Sequence, residues 1–376
     1  MRNIFSIALG LALAACAGRG QDARMAAPGG SSGADERAAG VPGSAATRLI
    51  VIVGDGTGIG QWSAARMTSD SALAIEDLPV IGLMDTRCGA CNRTTDSGAA
   101  ATAFATGTRT GYEMVGMGPD SVPRTSVLEA AEARGLATGL VTTSHVTDAT
   151  PAAFGADLAT RYDREGIAAQ YAAKDIEVLL GGGRRFFEHR RDGRNLLQEL
   201  RARYATVTTP AEFAALDLAR TDHLLGLFAD SIAYPETWLR PSLPQLANAA
   251  LAVLDRYPRG FFVLLESEDT DELSHGNDTL PRLVAGMREL DATVRVALEY
   301  QARHPETLIV VLGDHETGGL SLQVRRNGTI AAHYGSTGHS AESTLIFAGG
   351  PGAREFGRWL DNSEVGTLLL RFIQGR

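Results

Sequence analysis

Continuous apolar runs alternate with helical patterns from residue 48 onward. Five runs have the composition and length of buried strands: "LIVIVGDG", "LATGLVTTS", "DIEVLLGGG", "FFVLLESE" and "TLIVVLGDHETGG". Between them lie helical segments such as "TSVLEAAEARG", "SLPQLANAALAVLDRY" and "TLPRLVAGMRELDATVRVALEYQARHP". Strands that alternate with helices predict an α/β fold, with a mostly parallel central sheet covered by helices on both faces. The sequence has no internal repeat and no second compositional block, so we expect a single large domain.

The first 46 residues have a different composition. "MRNIFSIALGLALAAC" combines an early arginine with a short apolar run and predicts an export signal rather than a membrane span. Its end resembles a bacterial lipobox, in which cleavage precedes Cys16 and the cysteine is lipidated; an ordinary signal peptide cut nearby is the alternative. We expect a signal peptide over 1–15, the lipidated Cys16 with a flexible tether over 16–46, and a folded domain over 47–376. The protein would be exported to the periplasm or cell surface and held to a membrane by its lipid.

Composition and charge narrow the function. With 376 residues, of which 44% are hydrophobic, the chain can bury a large core. Its formal net charge of −9 argues against nucleic acid as a specific partner, for which a basic stripe is expected. Cys88 and Cys91 form a "CGAC" motif. In an exported protein this pair predicts a local disulfide, with redox activity and metal binding as the alternatives.

Acidic and imidazole groups directly follow several of the predicted strands. Asp55 follows the first run, Glu266 ends the fourth, and Asp314 and His315 follow the fifth. In open α/β sheets, ligands bind outside the carboxyl ends of the strands. Clustered carboxylates repel one another unless cations hold them together. The sequence therefore predicts a metal site at this edge of the sheet.

Further candidate ligands lie nearby in the sequence. Asp271 and His275 are four residues apart, so they share one face of a helical turn and can bind one ion. His339 lies in a predicted turn before another strand. Mixed histidine and carboxylate ligands suit zinc, whereas an all-oxygen set such as Thr150 with Glu266 suits magnesium. Taken singly, these residues can also be helix caps, surface histidines or parts of an extended turn.

A serine marks the start of one helix. In "RTTDSGAAATAFATGTRTG", Ser97 stands where an Ala- and Thr-rich helix begins. A serine at this place can cap the helix by accepting backbone N–H groups. The same place suits a nucleophile, because the positive helix end stabilises a developing anion or a bound phosphate. Position alone leaves both interpretations open.

Taken in order, six motifs resemble the alkaline phosphatase family over about residues 48–350: "IVGDGTGIG", "TTDSGAAATAFATG", "DATPAAF", "ESEDTDELSH", "GDHETGG" and "STGHSAE". The resemblance implies that residues 47–376 are a catalytic domain with two Zn²⁺ and one Mg²⁺. It also implies hydrolysis of small phosphate monoesters through a phosphoserine intermediate. The implied roles are: nucleophile, Ser97; phosphate clamp, Arg161; magnesium ligands, Asp55, Thr150 and Glu266; ligands of one zinc, Asp271, His275 and His339; ligands of the other zinc, Asp55, Asp314 and His315.

The implied roles agree with elementary chemistry. Two cations about 4 Å apart can stabilise the attacking and leaving oxygens of an in-line displacement, and a nearby cation lowers the pKa of a serine hydroxyl. Arg161 offers a planar fork to two phosphate oxygens, and backbone N–H groups at the helix start point at the developing charge. We therefore expect Ser97 to begin its helix because phosphate binds there, with a cap role that is compatible with catalysis.

Two features depart from the family pattern. Glu272 follows Asp271, at a place where family members often carry Lys, His or Trp, and Asp148 stands two residues before Thr150, near the implied magnesium and phosphate. With a carboxylate at both places, our hypothesis is weaker retention of phosphate and an altered affinity at the third metal site. The region between His315 and the next histidine ligand is short, which predicts an open pocket. The resemblance allows a homodimer and does not decide it.

Three other functions are alternatives to this prediction. A sulfatase of the same superfamily would need a proline that "CGACNR" lacks, and phosphodiesterase relatives usually lack the Thr150–Glu266 pair and the clamping arginine, which are present here. A non-catalytic metal- or phosphate-binding lipoprotein would be expected to lose Ser97 or Arg161 and to keep the ligands. Both residues are present, so hydrolysis of monoesters is the main prediction, with a phosphodiesterase or a binding lipoprotein as the alternatives.

Overall fold

One ten-stranded sheet organises the part of the chain that the computed structural model describes, residues 48–89, 91, 94–231 and 240–376. The predicted signal peptide, the lipidation of Cys16 and the tether lie outside the described residues. Among the described helices, none is long and apolar enough to cross a bilayer.

Strands and helices alternate through most of the chain. The strands are β1 (Arg48–Gly54), β2 (Val80–Asp85), β3 (Ala137–His145), β4 (Val178–Gly182), β5 (Ala205–Val207), β6 (Leu224–Leu227), β7 (Phe261–Ser267), β8 (Thr307–Leu312), β9 (Glu316–Thr317), β10 (Ser321–Val324), β11 (Ile330–His333), β12 (His339–Ser340), β13 (Thr344–Gly349) and β14 (Trp359–Asp361). The helices are α1 (Ile59–Met67), α2 (Ser97–Thr106), α3 (Val127–Ala133), α4 (Ala149–Gly155), α5 (Arg164–Ala173), α6 (Arg185–Glu188), α7 (Leu196–Leu200), α8 (Pro210–Ala214), α9 (Leu243–Leu254), α10 (Asp269–His275), α11 (Leu280–Arg303) and α12 (Asn362–Gln374). The five apolar runs correspond to β1, β3, β4, β7 and β8.

The central sheet is mostly parallel. Its strand order is β14–β2–β13–β8–β1–β7–β3–β4–β6–β5. Adjacent strands are parallel except at β13, which runs antiparallel to both β2 and β8. The predicted α/β fold class is thereby confirmed. The reversed direction of β13 had no signal in the sequence, because an apolar run marks a buried strand without giving its direction.

Apolar side chains fill both faces of this sheet. Alternate residues of a strand point to opposite faces. In β1, Val51 packs in the cluster that includes residues of α2, α3, α4 and α12, whereas Ile52 packs in the cluster that includes residues of α9 and α11. Burial on both faces explains why the strand sequences are continuous apolar runs rather than alternating ones.

The carboxyl ends of three central strands are level with one another. β1 lies between β7 and β8, and Val53 of β1 is in register with Glu266 of β7 and with Leu312 of β8. The residues that follow β1 and β8 therefore leave the sheet beside the end of β7. This arrangement brings Asp55, Glu266 and Asp314 to one edge.

A disulfide joins Cys88 to Cys91, with their Cα atoms 6.0 Å apart. It closes a short loop between β2 and α2, as predicted for an exported protein.

Candidate active site and metal centre

The helix α2 is capped by Asp96 and not by Ser97. The Asp96 carboxylate accepts hydrogen bonds from the backbone N–H groups of Gly98 at 3.1 Å, Ala99 at 3.3 Å and Glu113 at 3.0 Å. Ser97 is the first residue of the helix, and its Oγ lies 3.3 Å from Nε2 of His315. The predicted cap role of Ser97 is therefore wrong. Two cap-forming residues stand next to each other in the sequence, and the aspartate is the one that caps.

His315 lies at the centre of a buried group of acceptor atoms. Its Nε2 is 3.2 Å from Oδ2 of Asp314 and 3.5 Å from Oδ1 of Asp55. Thr317 donates its hydroxyl hydrogen to Asp271 and lies 3.2 Å from Nδ1 of His315, so its oxygen accepts the Nδ1 proton. Nε2 of His315 consequently presents a lone pair to the two carboxylates. Both carboxylate oxygens are buried without a hydrogen-bond partner among the described residues.

Asp271, His275 and His339 form a second group beside the first. Nε2 of His275 lies 3.2 Å from Oδ2 of Asp271 and 3.1 Å from Nε2 of His339, which lies 3.8 Å from Oδ1 of Asp271. The two Nδ1 atoms are 2.6 and 2.7 Å from the backbone carbonyls of Thr337 and Thr95. Each Nδ1 therefore carries a proton, and the two Nε2 atoms face each other. A proton or a metal cation has to lie between them.

His339 occupies a strand and not the predicted turn. It begins β12, which pairs antiparallel with β9, and it is in register with Thr317. The ring of His339 stacks on that of His315 with 3.6 Å between centroids. Ligand atoms of Asp271, His315 and His339 lie within 4.8 Å of one another, so the two groups are continuous.

A third group consists only of oxygen atoms. Asp55, Glu266 and Glu268 place carboxylate oxygens within 4.8 Å of one another. Thr142 donates a hydrogen bond of 2.5 Å to Oε2 of Glu266. Oε1 of Glu266 and Oγ1 of Thr150 are buried without a hydrogen-bond partner among the residues described. Asp55 belongs to this group and to the His315 group, as expected of a residue that bridges two cation sites.

Two residues of this group differ from what the sequence suggested. Glu268 was not identified as a candidate ligand, and Thr150 does not lie in the extended turn that was the alternative to its role as a ligand. Glu268 lies one residue beyond β7, where its backbone is helical rather than extended, so strand periodicity does not predict the side on which its carboxylate lies. Thr150 lies in α4 rather than in an extended turn, and Asp148 is the N-cap residue of that helix.

Arg161 is held between two carboxylates. Its Nη2 donates to Oδ1 of Asp148 at 2.9 Å, and its Nη1 lies 3.5 Å from Oδ2 of Asp96. Ser144 donates to the other oxygen of Asp148 at 2.6 Å. Asp148 thus orients the arginine. Glu272, the other acidic departure from the family pattern, is exposed on α10. Because Asp96 also caps α2, Arg161 is coupled to the helix that carries Ser97.

The pKa values reflect burial and charge crowding. Burial together with the surrounding carboxylates raises the pKa of Asp55 and that of Asp314, and burial raises the pKa of Glu266 to about 7. The contact with Asp271 raises the pKa of His275 to about 9. Burial lowers the pKa of His315, which favours the neutral imidazole needed for a metal ligand.

These donor sets fit metal cations. Buried carboxylate oxygens without a hydrogen-bond donor are unfavourable by several kcal/mol unless a cation or a proton compensates them. Here such oxygens converge with histidine lone pairs, which suits zinc. The set of Asp55, Glu266 and Thr150 offers oxygen only, which suits magnesium.

Residues 46–333 match the sequence model of the alkaline phosphatase family. The chain belongs to this family. It is 34% identical over 292 residues to alkaline phosphatase 4 of Bacillus subtilis, an alignment that covers 73% of this chain and 62% of the relative. The chain therefore spans less than two thirds of the length of that relative.

Solved structures of family members have the same fold. The alkaline phosphatase of the Antarctic bacterium TAB5 superposes with a TM-score of 0.82 at 28% identity, covering 89% of this chain and 100% of that one. A variant of the TAB5 enzyme, with magnesium bound in a site called M3, superposes with a TM-score of 0.80 at 29% identity, covering 88% and 98%. In this family member, all ten residues to which the resemblance assigns a catalytic or metal-binding role lie near the carboxyl ends of the strands.

Proposed function

We propose that the protein hydrolyses phosphate monoesters to an alcohol and inorganic phosphate through a phosphoserine intermediate. The observation that carries this proposal is the position of Ser97. Its Oγ lies 3.3 Å from Nε2 of His315 at the start of α2. The same nitrogen faces Oδ1 of Asp55 and Oδ2 of Asp314, which have no hydrogen-bond partner in the described part of the chain. A hydroxyl at a helix start, among ligands that can bind a cation, has the surroundings of an activated nucleophile.

The proposal includes two zinc sites and one magnesium site. The zinc ligands would be Asp55, Asp314 and His315 at one site, and Asp271, His275 and His339 at the other. Magnesium would be held by Asp55, Thr150 and Glu266. When bound, these cations supply a lowered pKa for the serine hydroxyl and stabilise the charge that develops on the attacking and leaving oxygens.

The residues of the chain itself perform the remaining tasks. Ser97 loses its hydroxyl proton and its Oγ attacks phosphorus, so that the bond from Oγ to phosphorus forms while the bond to the leaving alkoxide breaks. The alkoxide takes up one proton, which balances the proton lost by Ser97, and departs as alcohol. Water then attacks the phosphoserine, which releases inorganic phosphate and restores the Ser97 hydroxyl. Arg161, oriented by Asp96 and Asp148, donates to two non-bridging oxygens. The first N–H groups of α2 stabilise the developing negative charge.

The cellular setting is proposed from the sequence. An export signal, a lipid on Cys16 and a tether over 16–46 would place the enzyme at a membrane on the periplasmic or outer side. Its substrates would be small phosphorylated molecules, and the acidic net charge of −9 disfavours nucleic acid as a specific partner.

Hydrolysis of p-nitrophenyl phosphate tests this proposal. The wild type, Ser97→Ala and the control Ser321→Ala are compared with added zinc and magnesium, and again after chelation. Ser321 is exposed on β10, so its substitution removes a serine hydroxyl without touching the site. We expect metal-dependent turnover in the wild type and the control, a loss of at least about 10³-fold in Ser97→Ala, and phosphoserine at residue 97 after an acid quench of the wild type.

Absence of turnover in the metal-loaded wild type would contradict the proposal. Faster hydrolysis of bis(p-nitrophenyl) phosphate than of the monoester would favour the phosphodiesterase alternative.

A further inference from the structure

Glu268 is a buried carboxylate that the proposed function does not use. It directly follows β7, and its side chain is only 6% exposed. It is the N-cap residue of α10, yet its side chain makes no capping hydrogen bond. Its backbone N–H donates to Oγ1 of Thr143 at 2.9 Å, which fixes the direction of the chain at this point.

The carboxylate of Glu268 points toward the all-oxygen group. Oxygens of Glu268, Asp55 and Glu266 lie within 4.8 Å of one another. Glu266 belongs to β7, and Glu268 lies one residue beyond the end of that strand, where the chain turns into α10. Three carboxylates therefore meet at one buried point, which is strongly unfavourable without a positive charge.

Arg161 and Arg240 form their ion pairs with other carboxylates, and the charge of Arg161 reaches Glu268 only from beyond ion-pair distance. Arg161 is paired with Asp148 at 2.9 Å and with Asp96 at 3.5 Å. Arg240 is paired with Asp269 at 3.3 Å and with Glu289 at 2.8 Å. No ion pair to Glu268 within 4.0 Å occurs in the described part of the chain.

An independent observation indicates that an ion binds here. Oδ1 of Asp55, Oε1 of Glu266 and Oγ1 of Thr150 are all buried, and none has a hydrogen-bond partner among the described residues. Converging carboxylate and hydroxyl oxygens match the coordination shell of a hard divalent cation, because the Thr150 hydroxyl, which also interacts with Glu266, can turn a lone pair to the ion.

We propose that Glu268 is a third carboxylate ligand of the cation that Asp55 and Glu266 bind. This inference rests on the proposed function for the existence of that cation site, and it adds a ligand that the family resemblance does not assign. Three carboxylates with one hydroxyl give the site a formal charge of −3. A larger number of charged oxygen ligands raises the affinity for divalent cations, so the chain retains magnesium more tightly than a site with two carboxylates.

Magnesium titration of the full chain tests this role. The wild type, Glu268→Gln and Glu177→Gln are stripped of metal, reloaded with zinc, and titrated with Mg²⁺ by calorimetry; bound magnesium is then counted after gel filtration. Glu177 is a matched control because it is equally buried, with 8% exposure, but lies before β4 at the opposite edge of the sheet. We expect Glu268→Gln to bind magnesium at least about tenfold more weakly, and Glu177→Gln to bind it as the wild type does.

Each result has a distinct meaning. If Glu268→Gln binds magnesium with wild-type affinity while Glu266→Gln loses it, Glu268 is not a ligand and is neutralised by a proton instead. If the wild type takes up no magnesium, both this inference and the proposed metal centre are wrong. If magnesium uptake depends on Glu268 but p-nitrophenyl phosphate is not hydrolysed, the inference stands and the proposed function falls.

Discussion

Two groups of Asp, Glu and His side chains lie at opposite ends of the strands of one sheet, the first at the carboxyl ends and the second at the amino ends. The carboxyl-edge cluster consists of Asp55, Asp314 and His315. The amino-edge cluster consists of Asp175, Glu177 and His223, which precede β4 and β6. In each cluster the potential ligand atoms lie within 4.8 Å of one another. Residue types and distances alone therefore do not distinguish the two.

The hydrogen-bond partners distinguish them. In the amino-edge cluster, Glu177 accepts the backbone N–H of Thr138 at 2.5 Å, and Asp175 lies 3.1 Å from Nε2 of His223. The side chain of Asp175 is also 69% exposed, so water solvates it. In the carboxyl-edge cluster, Oδ1 of Asp314 accepts the backbone N–H groups of Gly56 and His315. Its Oδ2 and Oδ1 of Asp55 are buried and have no hydrogen-bond partner among the described residues. A metal centre is indicated by acceptors that the protein leaves unsatisfied and not by acidic residues as such.

The comparison is tested most strongly by removing one charge from each cluster. Asp314→Asn keeps the shape of the side chain and removes a carboxylate from the candidate zinc site. We expect it to lower kcat/KM for p-nitrophenyl phosphate by at least about 10³-fold, because the electrostatic stabilisation of the transition state is lost with the cation. Asp175→Asn should change kcat/KM by less than about twofold, since an exposed ion pair contributes little.

Thermal unfolding in the presence of a chelator is the control that shows whether Asp314→Asn folds correctly. Because burial and neighbouring carboxylates raise the pKa of Asp314, its ionised form opposes folding of the metal-free chain. Chelated Asp314→Asn should therefore melt no lower than chelated wild type. A loss of activity that is accompanied by a lower melting temperature would indicate a structural defect rather than a lost ligand.

Much of the fold could be predicted from the hydrophobic pattern. The five apolar runs that predicted strands all form strands of the central sheet, because a strand buried on both faces has a continuous apolar sequence. Strands at or next to the two ends of the strand order were harder to predict: β2, β5 and β14 are short or partly exposed, and their sequences differ little from those of loops. Strand direction depends on tertiary packing, which explains why β13 was not foreseen as antiparallel.

The sequence predicted the site at the level of strand ends and less well at the level of single side chains. Residues that follow parallel strands must meet at one edge, so Asp55, Glu266 and Asp314 could be grouped without a structure. The capping role was given to Ser97 because Asp96 and Ser97 are both cap-forming residues. Glu268 was overlooked within the acidic segment "ESEDTDE", where the strand ends and the side of each carboxylate depends on the exact start of α10.

We expect a smaller effect in the amino-edge cluster, where Glu177 should make the free energy of unfolding depend on pH. Burial raises the pKa of Glu177 from 4.5 to about 7, against the opposing hydrogen bond from Thr138. The folded state therefore holds this proton more tightly than the unfolded state does. The resulting stabilisation is complete below about pH 4.5 and is lost as the pH rises through about 7. Glu177→Gln, which cannot ionise, should match the wild type at pH 4 and exceed its unfolding free energy at pH 8 by about 1–2 kcal/mol.

The measurement is the thermal unfolding midpoint of wild type, Glu177→Gln and Glu299→Gln at the two pH values with zinc and magnesium held constant. Glu299 is exposed on α11, so its substitution should be neutral at both. Equal midpoints of wild type and Glu177→Gln at pH 8 would show that Glu177 ionises in the folded protein without a penalty.

The smallest expected effect concerns Glu272, which lies beside the candidate phosphate site. It is exposed on α10, next to Asp271, and its charge interacts with Arg161 and Asp148. Glu272→Lys replaces a negative charge by a positive one near the bound dianion. Screening by water limits such an effect to about 1 kcal/mol or less, so we expect the inhibition constant of inorganic phosphate to fall by about two- to fivefold.

Glu299→Lys makes the same change of net charge far from the site and should leave that constant unaltered. Since Arg161 is fixed by Asp148 and Asp96 rather than by Glu272, the substitution should leave the geometry of the clamp intact, and the effect should diminish at high salt. A phosphate inhibition constant that is equal in wild type and Glu272→Lys at low salt would mean that this carboxylate does not weaken phosphate retention, and that the departure from the family pattern at residue 272 has no consequence for product release.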